Sequence, residues 1–185
     1  MNFMQKNKTG VFPHVTFLLL LFVGAVSCQK KQPNKINTAA ELLPAPQEVE
    51  FKKNISFNPE KIKTVYLYAA IDKDARFVAN ILRNEIIKLF DYEVNVQVVD
   101  SYKELSGPSV ILGIASEDIG FSNFCSGLPS PQEGNAESYV LDIKKKIITV
   151  SGGGGAGLFY GVQSLIQLLE EAKWENASLT GMTIQ

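Results

Sequence analysis

Apolar residues follow two different spacings along this chain, and the spacing predicts which segments are strands and which are helices. Val94, Val96 and Val98 alternate with polar side chains, which predicts a half-exposed strand over residues 93–99. Residues 109–114 are apolar after Ser109 and predict a buried, central strand. Further strands are predicted at residues 47–51, 55–57, 64–69 and 179–184, and a hairpin around the basic turn 144–146, with its second arm at 147–150.

Two longer segments carry apolar residues at helical spacing. The first runs from Asp72, an expected N-cap, to Phe90. Its apolar stripe consists of Phe77, Val78, Ile81, Leu82, Ile86 and Leu89. The second follows a glycine run and carries Leu158, Val162, Leu165, Ile166 and Leu169. Each long helix therefore needs a sheet to cover its apolar side, and only one more helical turn is expected, within the loop 116–134.

Strands outnumber helices in this pattern, and hairpins are mixed with crossovers. Because both long helices can cover the same sheet face, the pattern predicts an α+β fold. We expect a two-layer sandwich of a mixed, mainly antiparallel sheet with two long helices on one face. Residues 41–185, about 145 in number, suffice for one domain with a proper core.

A glycine run lies between the hairpin and the second helix. Gly152, Gly154 and Gly157 fit the dinucleotide-binding pattern G-x-G-x-x-G. The preceding strand, however, is expected to belong to an antiparallel hairpin, and no acidic residue follows at the end of the next strand to hold a ribose. We therefore expect no nucleotide and no other cofactor. The glycines are instead expected to supply positive φ and a close approach of helix to sheet, and Gly161 close packing.

The segment 137–169 resembles the second half of the small domain that precedes the catalytic barrel in family 20 glycoside hydrolases, the β-N-acetylhexosaminidases. The resemblance is carried by ESYVL at 137–141, IITV at 147–150 and above all GLFYGVQSLIQLL at 157–169. LPAPQEV at 43–49 is similar to the start of the same domain. The resemblance spans residues 42–185, is weakest at 116–134, and implies the same α+β fold.

The resemblance also sets expectations about activity. Enzymes of this family cleave terminal N-acetylhexosamines with an adjacent Asp-Glu pair in the barrel, where the substrate's own acetamido group is the nucleophile. This chain has no barrel and no such pair, since Glu117-Asp118 has the reverse order and is expected to cap a turn. We therefore expect an inactive, non-catalytic domain cut before its barrel, with no catalytic residue and no metal site. Its partner would be that barrel, and glycan would be bound only through it.

The first residues predict where the protein is found. Lys6 and Lys8 precede an apolar stretch, 15–26, shorter than the roughly 20 residues of a membrane span. The stretch ends at Ala25-Val26-Ser27-Cys28, which is similar to bacterial lipoprotein signals and implies lipid attachment at Cys28. Residues 1–27 would be the signal peptide, 28–40 a lipidated polar tether and 41–185 the domain. Gln29 implies an outer-membrane lipoprotein of the cell envelope; an ordinary signal with an incidental cysteine is the alternative.

Composition excludes several chemistries. His14 is the only histidine and lies in the expected signal, which excludes Ser-His-Asp, Cys-His and histidine-zinc sites. Cys125 has no disulfide partner once Cys28 is acylated and is expected to be a small apolar filler. Residues 41–185 carry 13 basic and 19 acidic side chains, a net charge of about −6, so no nucleic acid is expected as a partner. Residues 144–146, all lysine, are expected to form a solvated turn.

Trp174 is the one aromatic residue that the sequence places in a polar turn. It is therefore a candidate for contact with glycan, whereas Tyr139, Phe159 and Tyr160 are expected in the core. Two other functions stay open. The chain could be a stand-alone envelope module that binds a protein or sugar surface, or the leading domain of a hyaluronidase-like or α-glucuronidase-like glycosidase.

Overall fold

The computed structural model describes residues 41–68, 73–101, 105 and 107–185, together with the backbone of Lys35–Ile36. Its strands are β1 (Lys35–Ile36), β2 (Val49–Phe57), β3 (Thr64–Tyr68), β4 (Asn95–Val99), β5 (Ser109–Ile114), β6 (Tyr139–Ile143), β7 (Ile147–Gly152) and β8 (Ser178–Ile184). Its helices are α1 (Lys73–Phe90), α2 (Ile119–Phe124) and α3 (Gly155–Trp174), with a 3₁₀ turn at Pro59–Lys61. Asp72 and Cys28 lie outside the described residues.

The described strands form one mixed sheet in the order β1-β8-β6-β7-β5-β3-β4, and β2 pairs with β8. This confirms the α+β prediction. The expected majority of antiparallel pairs was wrong, because four of the seven strand pairings in the described chain are parallel. The physical reason is visible in α1, which returns the chain from the end of β3 to the beginning of β4 and so makes these neighbours parallel.

α1 and α3 pack side by side on one face of the sheet, as the apolar spacing predicted. Leu82 and Ile86 of α1 and Leu158 and Leu165 of α3 are fully buried in the main core. Gly161 brings α3 close to the sheet, because a methyl group there would lie 2.6 Å from Cγ1 of Val150. The prediction of close packing at Gly161 is therefore confirmed.

The opposite face of the sheet carries α2, the one helical turn expected in the long loop. Phe121 is fully buried there, with its ring 5.7 Å from that of Tyr68. Asp118 caps α2, since its Oδ1 accepts a hydrogen bond of 2.9 Å from the backbone N–H of Phe121. The capping role expected for the Glu117-Asp118 pair is thus confirmed. α2 adds a local third layer, built around a small second core of Tyr66, Tyr68, Val99, Ile111, Phe121 and Cys125.

Two strands differ in detail from the sequence prediction. β2 is one strand with a register shift between Phe51 and Ser56, where two short strands were expected. β1 lies in the segment expected to be a polar spacer, and it pairs in parallel with Ser178 and Leu179 of β8. Lys35 and Ile36 of the expected tether are therefore joined to the sheet by backbone pairing, which the polar composition of the segment does not reveal.

The strand directions give the sheet two distinct ends. At the lysine end, defined by the connections 58–63, 91–94, 107–108, 144–146 and 173–177, β3, β4, β5, β7 and β8 all begin. At the glycine end, defined by residues 43–48, 115–138, 152–155 and 185, the same five strands finish. No helix in the described part of the chain is both long enough and apolar enough to cross a bilayer.

Candidate functional site

A pocket of about 420 Å³ opens at the glycine end of the sheet. It is formed by segments that are far apart in the sequence: residues 44–47, the loop 130–139, Tyr160 of α3 and Gln185. The apolar part of the wall is Pro44, Ala45, Pro46, Pro131, Tyr139 and Tyr160, and the polar part is Gln47, Ser130, Gln132, Asn135, Glu137, Ser138 and Gln185. The sequence analysis did not predict this site.

Hydrogen bonds hold the segment 44–47, which forms one wall of the pocket, in place. The side chain of Gln167 on α3 brackets Leu43, accepting from its N–H at 2.9 Å and donating to its carbonyl oxygen at 2.6 Å. The carbonyl oxygen of Gln185 accepts from the N–H groups of Gln47 at 2.6 Å and Glu48 at 3.2 Å. The first and last segments of the domain are therefore fastened to each other at the rim.

The loop wall is held by its own side chains. Asn135 accepts through Oδ1 from the N–H of Glu137 at 3.0 Å and donates through Nδ2 to Gln132 at 3.2 Å. Ser138 donates to the carbonyl oxygen of Asn135 at 2.7 Å. On the floor, the hydroxyl of Tyr139 pairs with that of Ser164 at 2.8 Å, and burial raises the pKa of this tyrosine. The pocket is thus preformed, which lowers the entropic cost of binding.

Amides and hydroxyls dominate the polar lining of the pocket. Glu137 supplies the only side-chain carboxyl group among the lining residues, and side-chain amides and hydroxyls make up the rest of the polar lining. A lone carboxylate without a partner base or nucleophile cannot perform the two-carboxylate chemistry of glycosidases. In the described part of the chain, no three His, Cys, Asp or Glu side chains come together as metal ligands.

The glycine run packs closely against the backbone of residues 135–138. A methyl group at Gly157 would lie 2.0 Å from the carbonyl oxygen of Ser138, and one at Gly153 2.4 Å from that of Asn135. The N–H groups of Gly153 and Gly157 donate to the carbonyl oxygens of Ser138 at 2.8 Å and Ala136 at 2.9 Å. Residues 135–138 therefore occupy the place above the helix N-terminus where a nucleotide phosphate would bind.

Part of the sequence prediction for these glycines was wrong. None of Gly152, Gly154 and Gly157 has a positive φ, which among the described glycines occurs at Gly134, with φ 74°. β7 is antiparallel to β6, as expected, but it is also parallel to β5 on its other side. Close approach of neighbouring backbone, and not an unusual backbone conformation, is what requires glycine here.

The structure separates the aromatic residues considered from the sequence. Tyr139 is buried and Tyr160 half-buried, and both reach the pocket. Trp174 is 86% exposed, as predicted, but it lies at the lysine end, away from the pocket. The lysine turn 144–146 is exposed, which confirms its solvated position.

A buried ionic cluster lies on the sheet face that carries α2. The carboxylate of Asp142 is fully buried and forms an ion pair with Lys52. Its Oδ1 also accepts from the hydroxyl of Thr183 at 2.8 Å, while Nζ of Lys144 lies 3.6 Å from Oδ2, too far for a hydrogen bond. The cluster ties β2, β6 and β8 together, and its carboxylate is fully buried, so we assign it to the stability of the sheet.

Comparison with known proteins identifies the family. Residues 39–185 match the model described as glycosyl hydrolase family 20, domain 2. This chain belongs to that family. No curated protein gives a significant match. The match to this family 20 domain confirms the resemblance predicted for residues 42–185.

Solved structures share the fold of this family 20 domain. The structure of CpGH84D matches with a TM-score of 0.58 and 18% identity over 78% of this chain and 23% of its own. A mutant Streptomyces plicatus β-hexosaminidase in complex with its product GlcNAc matches with a TM-score of 0.54 and 24% identity, over 83% of this chain and 27% of its own. The chain therefore spans about a quarter of the length of these two proteins.

In this family 20 domain, Cys125 should be unreactive. Its side chain is buried, and burial raises the pKa of its thiol from 9.0 to about 12, with Lys144 opposing the shift and Asp142 adding to it. Because the thiolate is the reactive form, we expect a Cys28→Ser variant to resist iodoacetamide at pH 8 and to label rapidly in denaturant. Equal labelling rates in the folded and unfolded states would contradict the burial of this side chain.

The raised pKa of Cys125 also predicts a pH dependence of stability. An unfolded thiol ionises near pH 9.0, whereas the folded state keeps its proton until about pH 12. The contribution is thus fully present below pH 9.0 and is lost as the pH rises towards 12. A Cys125→Ala variant, compared by urea denaturation, should lose less stability across this range than the parent.

Proposed function

We propose that this family 20 domain is the non-catalytic leading domain of a lipid-anchored β-N-acetylhexosaminidase. The family match over residues 39–185 carries the proposal. The Streptomyces plicatus relative, whose structure contains GlcNAc, supports terminal N-acetylhexosamines as the substrate class of the whole enzyme. Glycan would then be bound by a barrel that follows residue 185.

The chemistry of the domain supports a scaffold role. The sequence contains no Asp-Glu pair, and the pocket offers a single side-chain carboxyl group, that of Glu137. Hydrolysis would therefore reside in the following barrel. The backbone hydrogen bonds from Gln47 and Glu48 to Gln185 would fix the point at which the chain leaves for that barrel. A fixed exit restricts the orientations available to a following domain.

The lipid anchor is the second component of the proposal. Residues 25–28 read Ala-Val-Ser-Cys after a short apolar stretch, which supports acylation of Cys28 and attachment to the bacterial envelope, in the outer membrane. Residues 29–34 would then connect the lipid to β1. The mass of the mature N-terminal peptide tests this component directly, since an acylated and a free Cys28 differ by the mass of the acyl groups.

A stand-alone envelope binding module is the second candidate function. The observation that favours it is the preformed pocket of about 420 Å³, with tyrosine and proline side chains beside amides. Such a wall suits a neutral ligand that offers hydroxyl and amide groups. In that case the 185-residue chain would bind a sugar or a peptide without cleaving it.

One experiment separates these functions. We would determine the reading frame beyond codon 185 and assay its product, and the 185-residue chain alone, on a chromogenic N-acetylglucosaminide. A longer, active product whose activity is lost when the glutamate of its Asp-Glu pair is replaced, together with an inactive 185-residue chain, is the expected result. A stop after Gln185 with saturable binding of N-acetylglucosamine supports the module, and release of amino sugar by the 185-residue chain contradicts both.

A further inference from the structure

The only tryptophan of the chain is held in an exposed position at the lysine end. Trp174 is the last residue of α3 and is 86% exposed. The turn after it is fastened by three backbone hydrogen bonds: Glu175 N–H to Glu171 at 2.9 Å, Asn176 N–H to Lys173 at 3.2 Å and Ala177 N–H to Ala172 at 2.8 Å. The indole is therefore presented to solvent by a fixed turn. Tryptophan is enriched at membrane–water interfaces, where its ring can contact apolar groups while its N–H group contacts water.

The strand register brings the proposed lipid to the same end. β1 runs parallel to β8, with Lys35 opposite Ser178, so β1 begins at the lysine end. Ser178 follows Trp174 by four residues. Only seven residue steps separate Cys28 from Lys35, a span of at most about 25 Å when extended and roughly 15 Å as a flexible coil. An acyl chain on Cys28 would thus keep the lysine end beside the bilayer.

The two ends of the sheet also differ in charge. At the lysine end, the connections 58–63, 91–94 and 144–146, together with residues 173–177 at the end of α3 and after it, carry six lysines and four acidic residues. The lysines are Lys61, Lys63, Lys144, Lys145, Lys146 and Lys173, and the acids are Glu60, Asp91, Glu93 and Glu175. Residues 115–138 at the glycine end carry four acids and no basic residue. The charge distribution therefore favours an approach of the lysine end, and not the glycine end, to anionic lipid.

We propose that the lysine end is a membrane-docking surface for anionic lipid. Trp174 enters the headgroup interface, and Lys145, Lys146 and Lys173 contact lipid phosphates. Tryptophan is enriched at this depth of a bilayer, and lysines at its surface gain from the negative potential. The inference rests on the lipid anchor of the proposed function. Its consequence is an orientation: the pocket and Gln185 at the glycine end face away from the membrane.

Fluorescence of the single tryptophan tests the proposal. The mature chain, purified with its acyl group, is reconstituted into vesicles of phosphatidylethanolamine and phosphatidylglycerol. We expect the emission maximum of Trp174 to lie at a shorter wavelength than in the Cys28→Ser protein measured in buffer without lipid or detergent. Brominated lipid should quench this emission. The matched probe is Phe77→Trp in a Trp174→Phe background. Phe77 is 62% exposed and lies near the start of α1, away from the lysine end. This second probe should stay unquenched.

Charge variants test the lysines independently of the acyl chain. In the Cys28→Ser protein, replacing Lys145 or Lys146 with glutamine should lower partitioning to anionic vesicles about fivefold each. Arg76→Gln, an equal loss of charge at the exposed start of α1, should leave partitioning unchanged. Equal effects of all three variants would contradict a defined docking surface.

The outcomes separate the docking surface from the anchor. An acylated chain whose Trp174 is not quenched, or whose Phe77→Trp probe is quenched equally, overturns the docking surface and leaves the anchor intact. A mature chain whose Cys28 proves to carry no acyl group overturns the anchor, and quenching of Trp174 in that chain would still support the docking surface.

Discussion

Replacing Gly157 with alanine should lower the free energy of unfolding by about 3 kcal/mol. The new methyl group would lie 2.0 Å from the carbonyl oxygen of Ser138 and 2.9 Å from its carbon, and both atoms belong to the backbone. Relief of this overlap requires the loop to move, which costs about 1–3 kcal/mol and breaks the hydrogen bond from the N–H of Gly157 to Ala136, worth about 1 kcal/mol. The higher helix propensity of alanine returns at most about 1 kcal/mol.

Urea denaturation followed by circular dichroism measures this change, and Gly155 supplies the matched control. Gly155 lies two residues earlier in the same helix, but a methyl group there would meet Cβ of Asp74 at 3.5 Å, an ordinary contact. Gly155→Ala should therefore leave stability unchanged or raise it by up to about 1 kcal/mol. Equal losses at both positions would show that helix geometry in general, and not the close approach of Ser138, determines the effect.

Local patterns predicted the elements of this domain better than their arrangement. The helix spacing of Leu158, Val162 and Leu165 and the alternation of Val94, Val96 and Val98 are properties of a few turns or a few residues, and both elements are present. Pairing is a property of distant segments. The parallel neighbours β7, β5 and β3 depend on where the chain crosses the sheet, and the apolar strands themselves are compatible with either direction.

The pocket shows the same limit for a functional site. Its wall joins residues 44–47, 130–139, Tyr160 and Gln185, which no local motif connects. The glycine run was a local signal, and the close approach that it predicted is confirmed. The sequence did not reveal that residues 135–138 pack against these glycines, because that loop has no regular pattern of its own.

Asp142 is a case where the sequence carried a usable signal. It is the single charged residue in the apolar strand YVLDI, all of which is buried. A buried carboxylate needs a partner, so the pattern implies one without showing which. The partners, Lys52 and Thr183, lie 90 and 41 residues away in sequence. The charge could be predicted to matter, whereas the pairing required the sheet register.

Replacing Asp142 with asparagine should lower the free energy of unfolding by about 3 kcal/mol. Breaking a buried ion pair by removing one charge typically costs about 3–5 kcal/mol. We expect the lower end of this range because the side chain of Lys52 is 22% exposed and stays in contact with solvent. Lys52→Met should also be destabilising, because it leaves the carboxylate with Thr183 and the more distant Lys144. The double variant should lose less than the sum of the two single losses, which a double-mutant cycle in urea measures. Glu85→Gln, which breaks the surface pair with Lys88, is the control and should cause no measurable change. Strict additivity of the Asp142 and Lys52 losses would contradict a direct interaction across β2 and β6.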